Sequence, residues 1–174
     1  MTRRHAPFVP TIALNSFLSN DRLQFFPDKP LALQEMRRVL RDGGRLAISV
    51  WNSTGLYNSA VGEALATLVG NEAAVRFCAS RKAPAKEELH SLVTNAGFSQ
   101  VTVLVSRINV HLPRPDKFAL DHLAATPVAP VIAAADAGLR KAIGASVMQK
   151  LQGYTDGDGV TYPEETYVLT ARSL

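Results

Sequence analysis

The clearest pattern of apolar and polar positions lies in residues 28–51. Apolar side chains recur there at the spacing of one helix face, while the charged residues between them fall on the other side; the apolar positions are Leu33, Met36, Val39 and Leu40. Asp28 precedes this stretch and can cap the helix, and Pro30 stands in the first turn, where its missing N–H is not needed. The pattern predicts an amphipathic helix that begins just after Asp28.

A buried strand is predicted directly after this helix. Gly43-Gly44 is expected to end the helix, because glycine adopts the left-handed conformation that closes a last helical turn. Residues 45–51 are mostly apolar with little alternation, which is typical of a parallel strand covered on both faces. A helix that leads into such a strand is half of a βαβ unit. The preceding strand is therefore expected upstream, and residues 14–18 are the candidate.

The rest of the chain also contains predicted helices and strands. Helices are predicted for residues 57–70, 84–97, 116–125 and 131–151, and strands for 101–112 and 167–171, with a turn-rich loop at 153–159. In the first of these strands the apolar positions change phase, which predicts a bulge near Ser106-Arg107. Strands that alternate with helices indicate an α/β fold.

Composition limits the function classes. A length of 174 residues suits a single domain, 1–174, and the net charge of +4 comes from scattered basic residues, so no nucleic-acid partner is expected. The four histidines show no metal-ligand spacing, and the single cysteine, Cys78, permits no intrachain disulfide. No apolar run is long enough to span a bilayer, and the expected location is the cytoplasm.

Four segments carry a resemblance to a known family. Residues 23–29 and 35–46 together resemble the region of the methyltransferase type 11 (UbiE/COQ5-like) family that carries the fourth strand, the helix after it and the fifth strand. Residues 95–98 resemble the family's helix end before the sixth strand, and residues 167–172 resemble its seventh strand. These are class I enzymes that use S-adenosylmethionine (SAM). The resemblance covers nearly all of the chain from Pro7 onward and corresponds to the C-terminal half of the family fold.

The resemblance implies a particular sheet. The family sheet has the strand order 3-2-1-4-5-7-6 with the last strand antiparallel, and this chain matches its 4-5-7-6 part. We therefore expect a partial, Rossmann-like methyltransferase sheet, truncated relative to the family, with helices on both faces. Residues 113–153 are expected to form a helical insert, or cap, before the last strand.

The resemblance also implies SAM as cofactor and a small-molecule methyl acceptor. In the family, a glycine-rich turn after the first strand and an acidic residue after the second hold SAM, and this sequence contains neither. Ser19, Asn20 and Asp21, expected just beyond the fourth strand, are the remaining candidates for cofactor contact. Autonomous SAM binding and methyl transfer by the chain alone are therefore expected to be weak or absent.

Candidate acceptor-binding residues are Phe25, Trp51, Asn52 and His122. Trp51 and Asn52 are expected just beyond the end of the fifth strand, and His122 in the insert that would cover an acceptor. Phe25 belongs to a pair, Phe25-Phe26, that is similar to an aromatic pair near the family's site. His122 is also the best candidate for a proton acceptor. Methyl transfer chiefly requires orientation and a dry site, so no catalytic residue is predicted.

Two other interpretations remain open. The chain could be a non-catalytic half-domain that associates with itself or another chain through the edge of the strand at residues 14–18, because an uncovered strand edge favours pairing. It could also be a truncated gene product. The sequence does not separate these two.

Overall fold

The computed structural model describes residues 14–20, 23–81 and 84–174, apart from the side chain of Ser80. The strands in these ranges are β1 (Leu14–Asn20), β2 (Leu40–Trp51), β3 (Phe98–Pro113), β4 (Thr155–Asp156) and β5 (Gly159–Ser173). The α-helices are α1 (Lys29–Val39), α2 (Leu56–Leu68), α3 (Asn71–Cys78), α4 (Lys86–Asn95), α5 (Pro115–Leu123), α6 (Ala129–Ala134) and α7 (Ala137–Leu151). Short 3-10 turns cover Leu23–Phe25, Ala79–Arg81 and Gln152–Tyr154.

The sheet has the order predicted from the family resemblance. The main strands run β1-β2-β5-β3, β1 is parallel to β2, and β5 is antiparallel to both of its neighbours. Ile48 at the centre of β2 lies between Ser19 of β1 and Leu169 of β5. This is the 4-5-7-6 arrangement with an antiparallel last strand, so the predicted fold class is confirmed.

Helices cover opposite faces of the sheet at its two ends. α1 and α4 pack on the face that carries Ile48 and Leu169. α2, α3 and the helices α5 to α7 pack on the outer half of the β3–β5 hairpin, against Val160 and Tyr162. Because side chains alternate along a strand, Leu169 and Tyr162 of β5 point to opposite faces. The chain therefore has two apolar cores that share the long strands β3 and β5.

The predicted start of the helix is confirmed, but its predicted end is wrong. Oδ1 of Asp28 accepts a hydrogen bond from the Leu31 N–H at 2.8 Å, which caps α1. The helix ends at Val39, not at Gly43-Gly44, because Leu40 is already extended and pairs with Leu14. The glycine pair lies inside β2, where the register with β1 shifts and Gly43 adopts a φ of 71°.

The predicted bulge near Ser106-Arg107 is also misplaced. The β3–β5 register is continuous from Thr102 to Pro113 and shifts between Ser99 and Thr102, where Gln100 has a φ of 51°. The phase change in the sequence has another cause. Val103 faces the core under α1 and α4, whereas Val110 packs against the second core on the opposite face. The apolar positions change phase because the covered face of the strand changes.

The C-terminal strand is longer than predicted. β5 covers Gly159–Ser173, whereas only residues 167–171 were predicted, and part of the predicted loop forms the short strand β4. Helices α5 to α7 lie between β3 and β5, where the helical insert was expected, and Asp136 caps α7 through the Leu139 N–H. None of the described helices combines the length and apolar character needed to cross a bilayer.

Candidate functional site

A cavity lies at the carboxyl end of β2, between α2, α5 and the outer half of the β3–β5 hairpin. Its volume is about 180 Å³, and we call it the Trp51 cavity. The lining residues are Trp51, Thr54, Tyr57, Asn58, Val110, Leu112, Phe118, His122, Tyr162 and Glu164. Most of this surface is aromatic or aliphatic with a few converging polar groups, which is the usual character of a small-molecule site.

His122 is held at both ring nitrogens. Nδ1 lies 3.0 Å from the Tyr57 hydroxyl, and Nη2 of Arg81 lies 2.9 Å from Nε2. A guanidinium can only donate, so Nε2 must accept and the neutral ring carries its proton on Nδ1. The Nδ1–H then donates to the Tyr57 oxygen, which leaves the Tyr57 hydroxyl proton available to a ligand.

Burial and nearby charge keep His122 and Tyr57 uncharged, whereas Arg81 carries its positive charge. Burial, followed by the nearby charge of Arg81, lowers the pKa of His122 below its usual value. Burial, followed by the proximity of Tyr162, raises the pKa of Tyr57, so this phenol stays protonated at neutral pH. His122 is therefore a neutral hydrogen-bonding group at physiological pH.

Arg81 was not predicted as part of the site. Its Nε donates to Oδ1 of Asn58 at 2.9 Å, its Nη1 donates to the Phe77 carbonyl at 2.6 Å, and its guanidinium lies 3.8 Å from the centre of the Phe77 ring. These contacts fix the guanidinium that in turn fixes His122. Arg81 is 41 residues from His122 in the chain, and no spacing motif links the two.

Glu164 supplies the carboxylate of the cavity. Its side chain is only 7% exposed, and Oε1 accepts a hydrogen bond from the Leu56 N–H at 3.1 Å. Burial raises the pKa of Glu164, and the bond from Leu56 partly opposes that rise. Gly55 makes the arrangement possible, because a Cβ at this position would lie 2.7 Å from Oε2 and the φ is +77°. Glu164 and Gly55 were also not predicted.

The structure brings only some of the predicted acceptor-binding residues together. Trp51 and His122 both line the Trp51 cavity. Phe25 is 55% exposed in a 3-10 turn and does not line it. Asn52 lines a neighbouring groove and donates from Nδ2 to Oε2 of Glu165 at 3.1 Å, so its amide is engaged with the protein.

The predicted cofactor-contacting residues lie at the end of β1. Ser19 and Asn20 are the last two residues of the strand, where the prediction placed them just beyond it. The Asn20 side chain accepts a hydrogen bond from the Ser49 hydroxyl of the neighbouring strand. Asp21 lies outside the described residues. Ser19 is half-buried and Asn20 is exposed.

The fold of the chain is similar to that of solved methyltransferase structures. A candidate methyltransferase from Bacillus halodurans matches with a TM-score of 0.50 and 16% identity, covering 97% of this chain and 68% of the other. The YcgJ protein from Bacillus subtilis matches with a TM-score of 0.51 and 12% identity, covering 97% and 67%. The chain has a methyltransferase fold.

The methyltransferase fold is shared over part of the larger proteins only, since the chain spans about two-thirds of the length of both matches. A phosphoethanolamine N-methyltransferase from Haemonchus contortus, solved with S-adenosylhomocysteine (SAH), gives a lower TM-score of 0.47 at 14% identity, covering 94% of this chain and 34% of that one. No protein-family model and no curated protein sequence matches the chain.

Proposed function

We propose that the chain is the acceptor-binding part of a SAM-dependent methyltransferase of the UbiE/COQ5-like type, and that the Trp51 cavity holds a small methyl acceptor. The observation that carries the proposal is the position of the cavity. It lies just beyond the carboxyl end of β2, the edge at which open α/β sheets bind their ligands. Because a fold alone does not determine function, the site and not the fold supports this proposal.

We do not expect the described residues to form a SAM site by themselves. At the end of β1 the Asn20 side chain is engaged with Ser49, and Ser19 is half-buried. Among the described residues, the paired glycines at Gly43-Gly44 lie inside a strand and do not open a helix, as a nucleotide-binding glycine turn would. SAM would supply the methyl group, and we expect the 174-residue chain to bind it weakly.

The residues of the chain would act on the acceptor by binding and orienting it. The aromatic walls exclude water, and a dry site strengthens each polar contact that the acceptor makes. Among the lining residues, the Tyr57 hydroxyl keeps its proton for a ligand, and Glu164 keeps one carboxylate oxygen without a donor in the described part of the chain. Both are oriented by the protein before a ligand arrives, which reduces the entropy lost on binding.

Trp51 makes the acceptor site directly testable because it is the single tryptophan of the chain. A library of small amines, phenols and carboxylates is screened by tryptophan fluorescence, and hits are mapped by chemical-shift changes in labelled protein. We expect hits to perturb Trp51, Tyr57 and His122. Hits confined to the separate apolar groove between Phe26 and α1 would contradict the proposal.

SAM binding is tested by calorimetry, and methyl transfer is tested by the release of SAH. We expect no saturable heat with micromolar SAM, whereas tight binding would contradict the expectation that the first three strands of the family sheet are needed. When SAM is present at millimolar concentration together with a compound found in the screen, we expect slow release of SAH. This release should be lost in Trp51→Ala. A complete absence of SAH release with both ligands present would favour the second candidate function.

The second candidate is an assembly module that pairs through the outer edge of β1. Within the described residues, β1 pairs only with β2, and Leu18 on this strand is 79% exposed. An open edge with apolar side chains is a template for another strand. On this proposal the chain associates with itself or with a separate chain that supplies the adjacent strand.

Light scattering with matched variants tests the assembly proposal. Leu18→Lys places a charge on β1 and should convert a self-associating chain to a monomer. Leu104→Lys is the control, because Leu104 is 62% exposed on the same sheet face but lies on β3, at the opposite end of the sheet. A wild-type chain that is monomeric and melts cooperatively would contradict self-association.

A further inference from the structure

We infer that the ligand of the Trp51 cavity is an organic cation, an amine in its ammonium form or a quaternary ammonium, held between the Glu164 carboxylate and the surrounding aromatic rings. This inference rests on the proposed function, since it assigns a chemical class to the acceptor of the same site. The cationic group is the part of the acceptor that the cavity recognises and not its methyl-accepting atom, because an ammonium nitrogen has no lone pair. Three properties of the cavity support it.

The first property is an incompletely paired buried carboxylate. Glu164 is more than nine-tenths buried, yet among the described residues it accepts only the hydrogen bond from Leu56 to Oε1. Oε2 has no protein donor there. A ligand that brings a positive charge or an N–H donor to this oxygen makes a charge-assisted hydrogen bond with it. Glu164 is the only carboxylate among the residues that line the cavity.

The second property is the set of rings around the carboxylate. Trp51, Tyr57, Phe118 and Tyr162 all line the cavity with Glu164. The rings of Tyr57 and Phe118 stand at 62° to each other with centres 5.4 Å apart, so they form two walls of a corner rather than a flat stack. Aromatic walls at an angle, combined with one carboxylate, are how proteins bind ammonium groups.

The third property is the absence of an opposing cation among the residues that line the cavity. Arg81 is not one of them and is held on Nε2 of His122, while the ring of His122 is neutral. A carboxylate or phosphate ligand would therefore meet Glu164 without a compensating positive side chain in the lining. The cavity favours a cation over an anion.

The test uses a cation and its neutral isostere. Choline and 3,3-dimethyl-1-butanol have the same shape, because a carbon replaces the quaternary nitrogen. Both are titrated into the full chain while Trp51 fluorescence is followed. We expect choline to bind at least about tenfold more tightly, a difference within the range measured for desolvated cation–π contacts. In Glu164→Gln this preference should fall to less than about threefold.

Glu165→Gln is the matched control. Glu165 is the next residue but pairs with Arg107 and Asn52, and it does not line the Trp51 cavity. Its replacement should leave the choline preference unchanged. Thermal melts of both variants show whether each is folded. An equal loss of preference in both variants would overturn the inference, because it would indicate a general effect of surface charge.

The remaining outcomes separate the two proposals. If the neutral isostere or a phenol binds in the cavity as tightly as choline, the cation inference fails and the acceptor site stands. If choline binds only outside the cavity, with no shift of Trp51 or Tyr162 signals, the cation inference fails as well. If no compound of any class occupies the cavity, the proposed acceptor function fails with it.

Discussion

Nη2 of Arg81 donates a hydrogen bond to Nε2 of His122 over 2.9 Å, and this contact determines what His122 can do. The lone pair that a general base would use is already occupied by a permanent donor. We therefore expect that His122 does not serve as the free proton acceptor that its place in the sequence suggested. It instead positions the Tyr57 hydroxyl at the cavity wall.

Removal of the Arg81 charge should raise the pKa of His122. In Arg81→Met the pKa is expected to move toward 6.5 but to stay below it, because burial is the larger cause of the depression. NMR titration of the ring protons measures this, and Glu72→Gln, which removes the partner of the exposed Arg76, should leave the curve unchanged. An unaltered His122 titration in Arg81→Met would contradict the assigned contact.

The lowered pKa of His122 also predicts that the stability of the folded chain changes in acid. The unfolded chain binds a proton at His122 near pH 6.5, whereas the folded chain binds it only at lower pH, so this residue lowers stability as pH falls below 6.5. Arg81→Met should reduce this loss of stability, because it brings the folded pKa of His122 closer to its unfolded value. Urea unfolding between pH 7 and pH 5 measures it, and equal pH slopes in the two proteins would count against the prediction.

Glu164 should affect stability with the opposite dependence on pH. Its folded pKa is raised above 4.5, so the folded chain retains a proton that the unfolded chain loses, and stability falls as pH rises through this window. Glu164→Gln keeps an acceptor for the Leu56 N–H and removes the buried charge. We expect its midpoint of thermal unfolding at pH 7 to equal or exceed that of the wild type.

Glu165 differs from Glu164 in that its pKa is lowered, so Glu165→Gln should have a different effect on stability. The hydrogen bond from Arg107, followed by that from Asn52, lowers the pKa of Glu165, so any stabilisation is present at neutral pH and is lost as pH falls through the folded pKa. Its removal should not stabilise the chain at pH 7. If both glutamate variants shift unfolding in the same direction at pH 7, the assigned environments are wrong.

Gly55→Ala should disturb the cavity more than a glycine replacement elsewhere. A methyl group at Gly55 would collide with the Glu164 carboxylate, and the φ of +77° is itself strained for alanine. Gly43→Ala is the control, because Gly43 has a similar φ of +71° with open space around it. Both should lose about 1 kcal/mol from backbone strain, and only Gly55→Ala should also weaken choline binding.

The cap of α1 is a prediction about the fold alone. Asp28→Ala removes the side-chain acceptor for the Leu31 N–H and should reduce the free energy of unfolding by about 1 kcal/mol. Asp42→Ala breaks an exposed ion pair with Arg37 and should change it by less than about 0.5 kcal/mol. Chemical denaturation compares the two, and equal losses would refute the capping role.

Local signals in the sequence predicted most of the fold. The cap at Asp28, the helical spacing behind it and the buried strand at residues 45–51 depend on neighbours within a few positions. The end of α1 was missed because the pairing of Leu40 with Leu14 is a tertiary contact that overrides the glycine signal. The misplaced bulge in β3 has a similar cause, since only the fold shows that its covered face changes.

Less of the candidate site than of the fold could be predicted from the sequence. Trp51 was recognised because it follows a buried strand, and His122 because it lies in the insert. Glu164 was not, because the Leu56 N–H that orients it is 108 residues away in the chain. Gly55 looks like an ordinary turn residue until Glu164 is placed against it. Such pairs carry no periodic or spacing signal.

Intermolecular NOEs from bound choline show whether the cation occupies the Trp51 cavity. We predict contacts from the N-methyl protons to the rings of Trp51, Tyr57 and Tyr162, and their loss in Glu164→Gln at the same ligand concentration. Contacts to Phe26 and Leu31 of the other apolar groove, with none to Trp51, would show that the ligand site lies elsewhere and would contradict the account.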